Sequence, residues 1–150
     1  PEGNPIAPFQ AYFDIFKNHL NIKSDKIVHF ELGRSIVGQC GALVSKVLYS
    51  KEGENTNFLI VDGGMPELIR PALYQAYHKI VSLTSERSDK KYDVVGPICE
   101  TSDFFGKGVN LSESGRGDLI AVLSAGAYAE VMSSSYNLRE KAKSVYSDQL

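Results

Sequence analysis

A thiol and two carboxylates follow an apolar run in the segment VVGPICETSDFFG, residues 94–106. Pro97 cannot donate a backbone hydrogen bond, so we expect the chain to leave its sheet there. Cys99 could act as a nucleophile or as an acid, depending on whether its thiol is ionised. An ionised Glu100 beside it favours the protonated thiol, which suits a proton donor. The alternative is that Cys99 is a small buried apolar residue, as most cysteines are.

Two other stretches contain groups suited to an anionic ligand. In FELGRS, residues 30–35, the turn at Gly33 exposes backbone N–H groups, and Arg34 adds a fork of donors. The alternative is a surface turn with a salt bridge to Glu31. In DGGMPELIRPALY, residues 62–74, Arg70 and Tyr74 could share an anion, or else Arg70 pairs with Glu67 and Tyr74 lies in the core.

The turn SAGAY, residues 124–128, combines small residues with a tyrosine. Small residues let the backbone approach a ligand closely, with Tyr128 covering it. The alternative is a tight turn with a half-buried tyrosine. Together with the Arg-Tyr and Cys-Glu pairs, this turn favours a site for a small anionic molecule.

Composition excludes several classes of function. The 150 residues are 43% hydrophobic and 23% charged with a net charge of -2, which is typical of a globular protein. The sequence contains no basic run of the kind that would predict nucleic-acid binding. Its apolar stretches are all shorter than the ~18 residues that a membrane helix needs. The histidines do not combine with the two cysteines in zinc-ligand spacing, so no metal site is predicted. We expect a cytoplasmic protein with reduced thiols.

The elements divide the chain into two parts. Aromatic and apolar residues recur at helical spacing from Phe9 to Leu20, and residues 26–32 have the composition of a buried strand. Residues 1–34 are therefore predicted to end an α/β domain. Short apolar segments separated by Gly and Pro follow in residues 35–150, which predicts a mainly β fold, an antiparallel sandwich or barrel.

Five stretches also resemble a known family. FELGR, DGGMPELIRPALYQAYH, YDVVGPICETSDFFGK, GDLIAVLSAGAY and SSSYN are similar, in order and spacing, to the carboxyl-terminal part of diaminopimelate decarboxylases. Gly-Pro-x-Cys-acid-x-x-Asp is typical of the wider group that includes ornithine and arginine decarboxylases. Glu100, together with LIRPALY, resembles the diaminopimelate branch.

The resemblance implies an enzyme that uses pyridoxal 5'-phosphate to convert meso-2,6-diaminopimelate into L-lysine and carbon dioxide. Residues 1–34 would be the last helix and strand of a (β/α)8 barrel that binds the cofactor, and residues 35–150 would form the β domain. The lysine that anchors the cofactor would lie outside this chain, so the chain alone is expected to be inactive. A homodimer with an active site shared across its interface is also implied.

The resemblance assigns a first group of residues to the cofactor. Glu31, Leu32, Gly33 and Arg34 correspond to the family's Glu-Pro-Gly-Arg, which contacts the phosphate, and Tyr128 touches both cofactor and substrate. Leu32 replaces the usual proline, which adds a backbone donor and loosens φ. The turn is therefore expected to shift slightly while keeping its glycine and arginine.

A second group is assigned to the substrate and to the chemistry. Cys99 corresponds to the acid that protonates the carbon from which carbon dioxide departs. Glu100 corresponds to the ligand of the distal ammonium group of the substrate. The substrate-binding residues implied in this way are Arg34, Arg70, Tyr74, Glu100 and Tyr128.

Two alternatives remain at this level. One is a decarboxylase of the same fold that acts on ornithine, arginine or a related amino acid. The other is a non-catalytic homologue that serves as an interaction module. A non-catalytic homologue has no chemical need for Cys99, Glu100, Arg70 and Arg34, so their presence together favours an enzyme.

Overall fold

The computed structural model describes residues 8–23 and 25–149, which belong to two compact units, Pro1–Ile36 and Val37–Leu150. The interpretation of residues 1–34 as the end of a barrel stays a prediction.

Helix α1, Phe9–His19, is the main element of the first unit. Its aromatic side chains form one stripe, as their spacing predicts. The ring of Phe30 packs edge-on against this stripe, with its centroid 5.0 Å from that of Phe13 and 4.9 Å from that of Phe16. No residue of α1 is fully buried, so the stripe remains partly exposed in this unit.

The strand predicted for residues 26–32 is wrong for this structure. The described residues of this segment form no strand, and Ile27 is 81% exposed. A strand exists only where its backbone pairs with a neighbour, and no described strand pairs with residues 26–32. Apolar composition alone therefore produces no strand here.

The remaining elements form a mainly β unit. One short α-helix, α3 (Arg70–Tyr74), lies among its elements, whereas three of the four residues of α2 (Arg34–Val37) belong to the first unit. None of the helices in the described part of the chain is long and apolar enough to cross a membrane. The 3₁₀ segments are Gly38–Cys40, Tyr136–Leu138 and Ser147–Gln149. The helices and strands are α2 (Arg34–Val37), β1 (Ala42–Lys51), β2 (Asn57–Val61), α3 (Arg70–Tyr74), β3 (Ile80–Ser82), β4 (Asp89–Val95), β5 (Phe104–Ser112) and β6 (Leu119–Leu123).

The six strands form one sheet in the order β3-β6-β1-β2-β4-β5. The sheet curls towards closure: a Cβ on Gly106 of β5 would lie 3.4 Å from Cδ1 of Ile80 on β3, at the opposite end of the order. The predicted mainly β, barrel-like fold is thus confirmed.

One pair differs from the predicted antiparallel pattern, because β2 and β4 run parallel. Parallel neighbours need a long crossover. The chain between them forms α3 and then β3, which pairs with β6 at the far edge of the sheet. The sheet is therefore mixed.

The core lies between the faces of this curled sheet. Tyr92 is the largest side chain that is almost completely buried, and aliphatic residues from neighbouring strands surround it. Burying each of these side chains stabilises the fold by about 1.5–3 kcal/mol. The other members of this cluster are Val47, Leu59, Val61, Leu68, Ile80, Val94, Phe105, Leu111, Ile120 and Val122.

The turn after β6 lies against the chain just before β1. Ala125 N–H donates to the carbonyl of Gly41 at 2.8 Å, and Gly126 N–H donates to the carbonyl of Gly38 at 3.0 Å. A Cβ on Gly126 would lie only 2.3 Å from the carbonyl oxygen of Val37. The close approach for which this glycine is needed is therefore to the protein's own backbone.

Replacing Gly126 by alanine is expected to lower the free energy of unfolding by about 1–3 kcal/mol, because the added methyl group overlaps backbone atoms that cannot swing away. Denaturant unfolding followed by circular dichroism measures this loss. Gly115→Ala is the matched control, since its nearest neighbour would be an Arg87 nitrogen 4.0 Å away. Equal stability of the two variants would contradict the steric argument.

Candidate functional site

A buried carboxylate holds the Cys-Glu segment on the sheet. Asp103 is 4% exposed. Its Oδ2 accepts a hydrogen bond from Ile98 N–H at 2.6 Å, and its Oδ1 accepts one from Met65 N–H at 2.6 Å. The backbone of Asp103 also accepts from Gly96 N–H at 3.1 Å. One side chain therefore closes the loop 96–103 on itself and ties it to the loop after β2.

Two glycines make room for this carboxylate. A Cβ on Gly96 would lie 2.4 Å from Asp103 Oδ2, and a Cβ on Gly64 would lie 2.9 Å from Oδ1. Any larger residue at either position would collide with the buried oxygens. Gly96, the glycine of the Gly-Pro pair, thus leaves open the space that the Asp103 carboxylate, seven residues further on, occupies.

The segment held in this way presents Cys99 and Glu100 at the surface. Glu100 N–H donates to the carbonyl of Ile98 at 2.9 Å, and Asp103 N–H donates to the carbonyl of Glu100 at 3.1 Å, which makes a tight turn. Cys99 and Glu100 are both exposed. The alternative that Cys99 is a buried apolar residue is wrong, and its thiol is accessible to a ligand.

Glu100 has a partner that the sequence analysis did not assign. The hydroxyl of Tyr136 donates to Glu100 Oε1 at 2.5 Å, across 36 positions of sequence. This hydrogen bond to the Glu100 carboxylate, together with its negative charge, raises the pKa of Tyr136 above its ordinary value. Tyr136 consequently remains a protonated donor at neutral pH.

The expected pairing of Glu67 with Arg70 does not occur. Glu67 is 7% exposed, and its carboxylate accepts a hydrogen bond from Gly64 N–H at 2.8 Å. Its cationic neighbour is Arg139, whose Nε lies 3.7 Å from Oε1. Helix α3 begins only at Arg70, so Glu67 and Arg70 do not share a helical turn. The partner of the buried Glu67 carboxylate is thus an arginine that is distant in sequence and that the tertiary structure brings close to it.

Arg70 and Tyr74 lie close together at the two ends of α3, and Arg70 is half-buried while Tyr74 is exposed. The guanidinium carbon of Arg70 is 5.4 Å from the centre of the Tyr74 ring, within the range of a cation–π contact. Tyr74 is 58% exposed, so the alternative of a core tyrosine is wrong. An exposed phenol next to a guanidinium provides two kinds of donor for a carboxylate.

Tyr128 has an unusual backbone. Its φ of 65° lies in the left-handed region, which bulky residues rarely adopt. It is exposed and follows the turn that Gly126 anchors against Gly38 and Gly41. Backbone strain of this kind often occurs at functional sites, because the surrounding structure must impose it.

The predicted phosphate-binding residues lie in the first unit. Gly33 has a φ of 55°, and Arg34 follows it with an exposed guanidinium. The carbonyl of Leu32 accepts a hydrogen bond from the Ser35 hydroxyl at 2.6 Å, so a tight turn forms despite the missing proline. Leu32 and Glu31 line a cavity of about 500 Å³ in this unit. A free guanidinium at a left-handed glycine turn is chemically suited to a phosphate group.

Within the second unit, the structure joins Arg70 to Tyr74 and Glu100 to Tyr136. Among the described residues, no group of His, Cys, Asp and Glu side chains could hold a metal ion. The roles of Asp103, Tyr136 and Arg139 were not predicted from the sequence. Asp103 lies in the stretch VVGPICETSDFFG and Tyr136 in SSSYN, but nothing local in either stretch indicates its contacts.

The mainly β unit and its Gly-Pro-x-Cys-Glu loop define the class of protein. The chain belongs to the family whose model is the C-terminal sheet domain of pyridoxal-dependent decarboxylases, which matches residues 13–126.

Its more particular relatives are diaminopimelate decarboxylases. The chain is 54% identical over its whole length to the one from Bacteroides thetaiotaomicron, of which it covers 39%, and 46% identical over 97% of its length to the one from Aquifex aeolicus, of which it covers 34%. The chain thus spans little more than a third of the length of these relatives.

Solved structures show the same fold. The crystal structure of AQ1208 from Aquifex aeolicus is similar with a TM-score of 0.81 at 46% identity, over 89% of this chain and 33% of that one. That of diaminopimelate decarboxylase from Helicobacter pylori complexed with L-lysine gives a TM-score of 0.69 at 48% identity, over 74% of this chain and 27% of that one.

Replacing Asp103 by asparagine is expected to destabilise the protein by about 1–3 kcal/mol, because a neutral amide is a weaker acceptor and its NH2 faces backbone donors. Urea unfolding measures the change. Asp89→Asn, an exposed carboxylate at the start of β4, is the matched control. A loss no larger than that of the control would show that the carboxylate does not hold the loop.

Proposed function

We propose that this chain is the carboxyl-terminal part of a pyridoxal-phosphate-dependent meso-diaminopimelate decarboxylase, which forms L-lysine and carbon dioxide. The observation that carries the proposal is an exposed Cys99-Glu100 pair on a loop that a buried carboxylate holds rigidly. A rigid loop can present a proton donor and a charge-selective ligand at a constant separation. The family and the relatives described above agree with this substrate.

The proposed substrate-binding residues match the charged groups of the substrate. The substrate has two carboxylates and two ammonium groups. Arg34, Arg70 and Tyr74 supply donors suited to substrate carboxylates, while Glu100 accepts from the distal ammonium group. Tyr128 contacts both cofactor and substrate.

Cys99 is the proton donor of this proposal. When bound, pyridoxal phosphate would supply an electron sink for the carbon from which carbon dioxide leaves. The Cys99 thiol then gives its proton to the same carbon, so a C–H bond replaces the C–C bond and the thiolate regains a proton from water. An exposed thiol on a held loop can serve in this way.

The cofactor phosphate would lie at the turn formed by Glu31, Leu32, Gly33 and Arg34. The lysine that anchors the cofactor would lie in a barrel outside this chain. Residues 1–34 would supply the last helix of that barrel, and residues 26–32 would form its last strand only by pairing with a neighbouring barrel strand. The enzyme would be a cytoplasmic homodimer, with the Cys99-Glu100 loop serving the partner's barrel. On this proposal, residues 1–150 alone do not catalyse the reaction.

A decarboxylase for ornithine or arginine is the second candidate. Those substrates have one carboxylate, so an arginine directed at a distal carboxylate would have no partner in their complexes. The half-buried Arg70, whose guanidinium lies over the Tyr74 ring, favours the dicarboxylic substrate. No observation favours the non-catalytic homologue.

Replacing Glu100 by alanine in the full-length enzyme is expected to lower kcat/KM for meso-diaminopimelate about 10- to 100-fold, because a charge-assisted bond to the distal ammonium is lost. Steady-state assays of carbon dioxide release measure the change. Glu86→Ala, another exposed glutamate of the second unit, is the control. Unchanged activity of Glu100→Ala with this substrate would overturn the assignment.

Replacing Cys99 by alanine is expected to slow product formation about 100-fold or more, while the absorption spectrum of the bound cofactor stays normal, because only the proton donor is removed. Stopped-flow and steady-state kinetics measure the rate. Cys40→Ala, which removes the other exposed thiol, should keep full activity. Full turnover by Cys99→Ala would rule out the proton-donor role.

A further inference from the structure

We propose that Tyr136 is a positioning residue that orients Glu100 and thereby sets the selectivity for a distal ammonium group. This inference rests on the proposed function, since it needs Glu100 as a ligand of that group. The carrying observation is the hydrogen bond from the Tyr136 hydroxyl to Glu100 Oε1 at 2.5 Å. Oε2 takes no part in this bond and can accept from a substrate.

An exposed glutamate needs such a partner to act selectively. The Glu100 side chain has several rotatable bonds, and holding an exposed side chain of this kind in one orientation costs up to about 2 kcal/mol of conformational entropy. The short bond to a phenol, whose ring moves about only two torsions, supplies the orientation before the substrate arrives. Glu100 is thereby preorganised.

Tyr136 is itself held by the loop after β2. Ser134 N–H donates to the carbonyl of Pro66 at 3.0 Å, and Tyr136 N–H lies 3.4 Å from the Ser134 hydroxyl. On the other side of Tyr136, Arg139 lies 3.7 Å from the buried Glu67 carboxylate. The segment 134–139 is therefore anchored both before and after the tyrosine.

The same loop anchors Glu100. Met65 N–H donates to Asp103, whose other oxygen holds Ile98, and the turn that follows Ile98 contains Glu100. Met65 and Pro66 are neighbours in sequence, so one short loop ties down both partners of the Tyr136–Glu100 bond. The Tyr136–Glu100 hydrogen bond therefore results from this shared anchoring and not from a chance contact between two unrestrained surface side chains.

The electrostatics support the direction of the bond. Donation to Glu100 and the repulsion between tyrosinate and carboxylate both raise the pKa of Tyr136. The hydroxyl therefore stays protonated at neutral pH and acts as the donor of this bond. A ligand at Oε2 must then be a donor, which an ammonium group is and a carboxylate is not.

The test is Tyr136→Phe in the full-length holoenzyme, which removes one oxygen atom and keeps the ring. We expect KM for meso-diaminopimelate to rise about tenfold with a smaller change in kcat, because Glu100 binds the distal group in both ground and transition states. The inhibition constant of 2-aminopimelate, which lacks the distal amino group, should stay unchanged. Tyr146→Phe, another exposed tyrosine, is the control and should change neither constant.

Two kinetic outcomes overturn the proposal. If Tyr136→Phe weakens the binding of meso-diaminopimelate and of 2-aminopimelate equally, the role of Tyr136 is merely structural. If it weakens the binding of neither compound, Tyr136 does not orient Glu100.

A second readout does not depend on activity. In the full-length protein labelled with [13Cζ]-tyrosine, pH titration of each resonance gives its pKa, and comparison with Glu100→Gln identifies the tyrosine that senses the Glu100 carboxylate. Glu100→Gln should lower this pKa towards the ordinary value of about 10, because the carboxylate charge is gone. An unchanged pKa would overturn the contact even if Tyr136→Phe failed to fold.

The two readouts separate this inference from the proposed function. If the wild-type enzyme does not decarboxylate meso-diaminopimelate, the proposed function fails, and the selectivity argument fails with it. The Tyr136 titration would then still decide whether the tyrosine holds Glu100. If the wild-type enzyme is active and only the tyrosine variants disagree, the proposed function stands and the positioning role is overturned.

Discussion

The buried carboxylate of Asp103 is the interaction on which the candidate site depends. Its two oxygens accept backbone N–H groups from two different loops, and it occupies space that Gly64 and Gly96 leave open. Backbone amides in a buried loop must find acceptors, and a carboxylate satisfies them more strongly than a neutral group does. This bond converts an irregular segment into a rigid support for Cys99 and Glu100. The hydrogen bonds that stabilise this loop are therefore the same ones that position the residues of the proposed chemistry.

The loop after β2 extends this support to the rest of the second unit. Its Met65 N–H donates to Asp103, and its Pro66 carbonyl accepts from the segment that contains Tyr136. Its Glu67 carboxylate pairs with Arg139. The sheet holds the loop in turn, because β2 lies at the centre of the strand order between β1 and β4. Residues far apart in sequence thus reach one surface through a single short connection. Side chains that would be independent on a flexible loop keep constant separations, as binding to a small charged molecule requires.

Local patterns predicted much of this. The α1 stripe, the mainly β character of residues 35–150 and the exit of the chain at Pro97 all follow from spacing and from Gly or Pro. The strand predicted for 26–32 failed because strand formation needs a partner, and the partner is not part of the pattern. Strand β5 was not predicted, since Gly106, Lys107 and Gly108 interrupt its apolar residues, yet pairing with β4 supports it. The parallel β2–β4 pair was missed because the direction of a strand depends on the path of the crossover.

The sequence by itself determined which chemical groups the protein has and where the chain turns: the thiol beside a carboxylate, the arginine four residues before a tyrosine, and the glycines that only a tight backbone needs. Those are local properties, set by residue types and by spacings of a few positions. Only the tertiary structure decided which groups meet. Glu67 pairs with Arg139 instead of Arg70, Glu100 meets Tyr136, and Asp103 serves a loop 38 residues away, because these contacts join segments that are distant in sequence. Such contacts depend on how strands order and close into a sheet, which no local spacing encodes.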